Sequence, residues 1–130
     1  MLLLLIKDNK MRIKEASKAT GLTNHTLRYY EKSGLIAPVP RDESGHRFYR
    51  KHDISWLHFV KCLKSTGMPL KDIQEYAAKV GDANNQGEFL LQIMQQHKIR
   101  LESQLTETKE FLTHIDWKIN HYQELLAEHQ

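Results

Sequence analysis

From Glu88 to Glu128 the chain contains neither glycine nor proline, and its apolar residues recur at alternating helical steps. Leu90, Met94, His97 and Leu101 open the series; Leu105, Thr108, Leu112, Ile115, Ile119, Tyr122 and Leu126 continue it. Steps of three and four put one narrow seam along a single long helix. The step from Leu101 to Leu105 follows another step of four and reads as a stutter, which locally unwinds a supercoil. At about 1.5 Å per residue the seam runs ~55 Å, farther than the residues preceding it can cover alone. It needs a partner helix. A second copy of the chain is the simplest source, and a helix folded back onto its own head is the alternative.

The rest of the chain is different in kind. Residues 1–80 hold 15 Lys/Arg against 8 Asp/Glu, a net of +7, whereas residues 81–130 hold 4 against 8, a net of −4. That asymmetry suggests a head that meets a polyanion and a tail with another task. The single cysteine, Cys62, excludes an intramolecular disulfide and favours a reducing compartment. The opening run of six apolar residues lacks a basic flank before it and a small-residue cleavage site after it. A bilayer span needs about 20 such residues, so a cytoplasmic chain without a membrane partner is expected. Met11-Arg12-Ile13 is a natural domain start, which leaves residues 1–10 as an extension or a packing arm.

Within the head, Ile13, Ala16, Ala19 and Leu22 lie at helical spacing, and Thr20-Gly21-Leu22 reads as the turn that follows. Thr23 suits the N-cap of a second helix from Asn24 to about Lys32, and Gly34 suits its left-handed C′ position. Two short helices joined by a tight turn form a helix-turn-helix. On a wheel, Leu27 and Tyr30 share the core face, while His25, Arg28, Tyr29 and Lys32 fall opposite. Cations beside an aromatic hydroxyl suit a phosphate-lined groove. Pro38, Pro40 and residues 41–45 then break the helical pattern, and Arg47-Phe48-Tyr49 reads as a strand of a hairpin wing. Strand alternation puts Arg47 and Tyr49 on one face and Phe48 and Arg50 on the other, with Phe48 packing inward. Asp53 is expected to cap a helix whose buried stripe is Trp56, Phe59, Val60 and Leu63, ended by Gly67. Pro69 opens a shorter helix bearing Leu70, Ile73 and Tyr76.

These features predict a mostly α chain: a winged helix-turn-helix over 11–80, a polar linker over 81–87, and a coiled-coil helix over 88–128. The residues expected at DNA are His25, Thr26, Arg28, Tyr29 and Lys32 of the second helix, Arg41, Arg47 and Tyr49 of the wing, and Lys64 and Lys71. The last two flank Gly67-Met68-Pro69. No nucleophile–base pair, metal-ligand spacing or phosphate-cradling loop is present, so no enzyme activity and no cofactor are expected. A coiled-coil protein whose head docks on protein is the competing class.

Leu27-Arg28-Tyr29-Tyr30-Glu31, Gly34-Leu35-Ile36, Pro38, Arg41, Gly45, Arg47, Tyr49, Asp53-Ile54 and residues 67–73 together resemble the mercury-resistance-regulator (MerR) family of bacterial transcription factors. The resemblance covers residues 11–78. It implies a homodimer joined by an antiparallel coiled coil over 88–128, set on double-stranded promoter DNA, with RNA polymerase as a further partner. It also implies regulation by bending and untwisting an overlong promoter spacer.

Metal-binding and iron–sulfur members carry clustered cysteines, and here no cysteine follows Cys62. His97, His114 and His121, on or near the seam, read as packing residues. Drug-binding members carry a large C-terminal domain, for which this chain is too short. The matching motifs place Cys62 where aldehyde- and electrophile-responsive members carry a lone cysteine. Taking Trp56, Phe59, Val60 and Leu63 as the buried direction, Cys62 lies about 120° away on the wheel. Lys61, Lys64 and His58 are its neighbours, and cations favour the reactive thiolate. The alternative is a small buried hydrophobe.

Overall fold

A computed structural model describes residues 10–81 and 86–129. The extension expected over residues 1–9 and most of the polar linker lie outside the described residues. The elements, in chain order, are β1 (Met11–Arg12), α1 (Ile13–Thr20), α2 (Asn24–Lys32), β2 (Phe48–Tyr49), α3 (Lys51–Ser65), α4 (Leu70–Val80) and α5 (Gly87–Glu128).

Caps fix both helices of the helix-turn-helix. Gly21 ends α1 at φ 75°, donating its N–H to Ser17. Thr23 then starts α2, its hydroxyl accepting the Thr26 N–H at 3.0 Å. At the far end Gly34 takes φ 79°, and Leu35 and Gly34 donate to the carbonyls of Tyr30 and Glu31. This is the double-bonded left-handed stop that glycine permits. It turns the chain back so that Leu35 and Ile36 enter the core beneath α2.

The core of the head gathers Ala16, Leu27, Tyr30, Leu35, Tyr49, Leu57, Val60, Leu63 and Ile73, each nearly or fully buried. In α1 the buried polar position is Thr20, whose hydroxyl donates to the Ala16 carbonyl at 2.8 Å, and Ala19 is exposed. The Thr20 carbonyl in turn accepts from Lys61 Nζ at 3.0 Å, which ties α1 to α3. Gly21 sits at that junction, and a Cβ there would stand 2.8 Å from Lys61 Nζ. The lysine tip can move, so most of the cost of Gly21→Ala is the left-handed backbone, about 1–2 kcal/mol. A melting temperature lowered by several degrees, with α-helical content unchanged, is the expected result in circular dichroism.

Two sequence expectations are corrected, and the Asp53 cap is borne out in a shifted position. The buried stripe of α3 is Leu57, Val60 and Leu63; Trp56 and Phe59 are half-buried. Trp56 instead stacks on Tyr76 at 5.8 Å and donates its indole N–H to the Leu35 carbonyl at 2.9 Å, so the large rings cover the rim of the core. Asp53 does cap α3, from within its first turn: its carboxylate accepts the Arg50 N–H at 2.9 Å and also its guanidinium. Finally, Phe48–Tyr49 pairs chiefly with β1, antiparallel, Met11 opposite Tyr49 and Arg12 opposite Phe48. The wing's own arms meet through one bridge, Arg41 to Arg47.

The chain divides into two compact units, residues 1–90 and 91–130. The second is the body of α5, a helix of 42 residues in all. From Glu102 to His129 every described residue is exposed. Leu105, Leu112, Ile115, Ile119, Tyr122 and Leu126, all on the expected seam, keep 48–67% of their surface open. So long an apolar stripe is open to a partner.

Candidate nucleic-acid interface

The α2 wheel holds in three dimensions. Leu27 and Tyr30 are buried; His25, Arg28, Tyr29 and Lys32 are exposed. Thr26 is half-buried and works in the cap, its hydroxyl accepting from that of Thr23 at 2.8 Å.

Beside α2 the wing is braced at three points. Its turn closes on Asp42, whose carboxylate accepts the N–H groups of Ser44 and His46, each at 2.9 Å. These bonds, that of His46 foremost, with Arg12 at 3.2 Å, hold the Asp42 carboxyl below its ordinary range. Arg41 donates to the Gly45 carbonyl at 3.0 Å across the same turn. At the root, Glu31 of α2 is bound on both oxygens. One accepts Arg47 Nε at 2.6 Å and the other the Val39 N–H at 2.8 Å. Glu31 therefore locks the wing to α2, and only 12% of its side chain is exposed.

This bracing brings six of the ten expected DNA residues around one cleft of about 400 Å³: His25, Arg28, Tyr29, Lys32, Arg41 and Arg47. Glu31, paired with Arg47, also belongs to the lining, and cations stand on both the helix side and the wing side, the geometry that suits a sugar–phosphate ridge. Lys64 and Lys71 are exposed on either side of the Gly67–Pro69 turn and do not line this cleft. Lys64 Nζ stands 5.4 Å over the Tyr30 ring, close enough for a cation–π contact.

Tyr49 is a correction. Its ring is fully buried and its hydroxyl has no hydrogen-bond partner among the described residues. Burial, then the nearby Glu31 carboxylate, raises its pKa. Pairing with β1 turns this residue inward and leaves Phe48 half-buried, the reverse of the alternation expected for a free hairpin. Tyr49 thus supports the wing from beneath and cannot reach a phosphate. The sequence also offered no role for Glu31, although a lone carboxylate in a basic helix was the available signal.

Cys62 is exposed, which removes the alternative of a small buried hydrophobe. Its carbonyl accepts the Thr66 N–H at 3.0 Å and hydroxyl at 2.7 Å, so it stands at the bonded end of α3. Among the described residues no three His, Cys, Asp or Glu gather as a metal site, and no helix is long and apolar enough to cross a membrane.

Comparison with known proteins points one way. Residues 11–80 match the family described as MerR HTH family regulatory protein, and residues 54–128 match one described as MerR, DNA binding. An uncharacterized HTH-type transcriptional regulator of Haemophilus influenzae is 34% identical over 113 residues, spanning 87% of this chain and 84% of that protein. The HTH-type transcriptional regulator AdhR of Bacillus subtilis is 38% identical over 91 residues, 70% of this chain and 65% of AdhR. Among solved structures, HiNmlR, a MerR family regulator lacking the sensor domain and bound to promoter DNA, is similar at a TM-score of 0.86 and 33% identity. That match covers 91% of this chain and 94% of HiNmlR.

Proposed function

This chain belongs to the MerR family and is a DNA-binding transcriptional regulator, and from that premise we propose that it works as a homodimer joined through 88–128. The observation that carries this reading is the open seam of α5, whose six large apolar residues from Leu105 to Leu126 keep about half or more of their surface exposed among the described residues. Two copies bury it mutually, antiparallel, and hold two heads on the halves of an inverted repeat in promoter DNA. His25, Arg28, Tyr29 and Lys32 enter the major groove, and Arg41 and Arg47 grip the adjoining backbone. Thr26 positions the start of the helix, and Lys64 and Lys71 supply a second phosphate contact.

Two anchored heads can bend and untwist the spacer between them. Smooth bending of a site this size costs about 1–6 kcal/mol, within reach of the charge-assisted phosphate contacts of two heads. The distorted promoter is what RNA polymerase then engages. The signal is read by Cys62 as a member of the lone-cysteine subgroup: an aldehyde or other electrophile adds to its exposed sulfur. An adduct there crowds the bonded end of α3 and the turn into α4, flanked by Lys64 and Lys71.

Binding to a duplex from the chain's own upstream region tests the DNA surface. Neutralising 6–10 phosphates lowers affinity by about 10³–10⁵ between 50 and 200 mM salt, whereas a nearly flat dependence would indicate protein docking. The sensor is tested apart: Cys62→Ala should retain DNA binding and lose aldehyde-induced transcription, and an unchanged response excludes the thiol mechanism.

A further inference from the structure

Arg12 lies outside the helix-turn-helix wheel and outside the wing, yet it lines a small cleft of about 150 Å³ with Arg28 of α2 and Arg41, His46 and Arg47 of the wing. Ile13 and Gly45 complete the lining, and no carboxylate belongs to it. Three of the four guanidinium groups already have a partner, two of them outside the cleft. Arg12 is held by Asp42, Arg47 by Glu31 and Arg41 by the Gly45 carbonyl. The named contacts engage one nitrogen of each group, and a guanidinium carries five N–H donors. Charge and donors therefore converge on a space suited to one tetrahedral anion.

We propose that this cleft seats a single backbone phosphate of the bound duplex, and that Arg12 is a DNA-contact residue contributed by β1. The inference rests on the chain's binding to DNA and adds a wall to that surface from a segment before the first helix. A phosphate clamped by four forks positions the head and reads no base. Arg28 is thereby committed to the backbone, which leaves His25, Tyr29 and Lys32 to face base edges.

The full-length protein is titrated with operator and scrambled duplexes across a salt series, as parent, Arg12→Ala, Arg12→Lys and Asp42→Asn. Arg12→Ala should weaken both duplexes alike, about ten-fold near 0.1 M salt, and lower the salt slope by about 0.9 per protomer. Arg12→Lys should keep the parental slope with weaker binding, since the charge remains and the fork is lost. Asp42→Asn retains an oxygen acceptor for the wing turn and frees the guanidinium, so affinity should hold or tighten. A parental slope in Arg12→Ala overturns the assignment. So does an Asp42→Asn protein as weak as Arg12→Ala, which would make Arg12 a brace of the wing. Inorganic phosphate titrated at constant ionic strength separates the sources. Saturable binding that Arg12→Ala abolishes, with DNA affinity intact, gives the cleft to a free anion and also overturns the proposal. A parent that binds neither duplex would instead remove the DNA surface as a whole.

Discussion

Glutamate at Leu112 and Ile119 together is expected to leave the head folded and to lower promoter affinity by about 10²–10⁴, the advantage that linking two binding modules confers. Both side chains are about half exposed in the single chain, so the substitutions cost the isolated fold little. In a pair of helices the same two positions would set four carboxylates into an apolar seam. Each leucine or isoleucine buried there contributes about 1.5–3 kcal/mol, and each glutamate adds a desolvation cost. Sedimentation equilibrium should show a single protomer, and the melting transition of the head should stay where it is in the parent. Binding to an isolated half-site should hardly change. A double variant that still sediments as a dimer would place the interface elsewhere.

Glu31→Ala carries the second large effect, and its sign is informative. Removing a negative charge from a basic surface should tighten binding to a polyanion if net charge alone governed it. The structure predicts the opposite. Glu31 holds Arg47 at 2.6 Å and the Val39 N–H at 2.8 Å, and without it the wing loses its attachment to α2. Breaking a buried pair costs about 3–5 kcal/mol. With 12% and 23% of the two side chains exposed, about 2–3 kcal/mol is expected here. Denaturant unfolding should register that loss, and affinity for the promoter should fall by an order of magnitude or more. Glu31→Gln keeps an acceptor for Val39 and should lie between. Tighter binding by the alanine variant would show that Glu31 is only a repulsive charge.

What could be read in advance was local. Thr23, Gly21 and Gly34 announce the ends of α1 and α2 because caps depend on residues within one turn. The outward face of α2 followed from its period for the same reason. The long helix was legible because its seam repeats over many turns. What escaped depends on partners distant in sequence. β1 is only two residues long, too short for any alternation, and its pairing with β2 decides that Tyr49 turns inward and that Arg12 comes beside the wing. In α3, Trp56 and Phe59 outweigh Leu57 on any hydrophobic wheel. The Leu35 carbonyl and the Tyr76 ring draw the large rings to the rim, and Leu57 fills the centre. Glu31 stood inside a recognisable motif, but its partners, Val39 and Arg47, lie eight and sixteen residues on.

The most direct measurement is the mass of the complex in sedimentation velocity on a duplex spanning two half-sites one helical turn or a multiple apart. Two protomers per duplex are expected, with no stable species carrying one. A complex of a single protomer, or free protein sedimenting as a monomer at the same concentration, would contradict a regulator built as two heads on a shared helical seam.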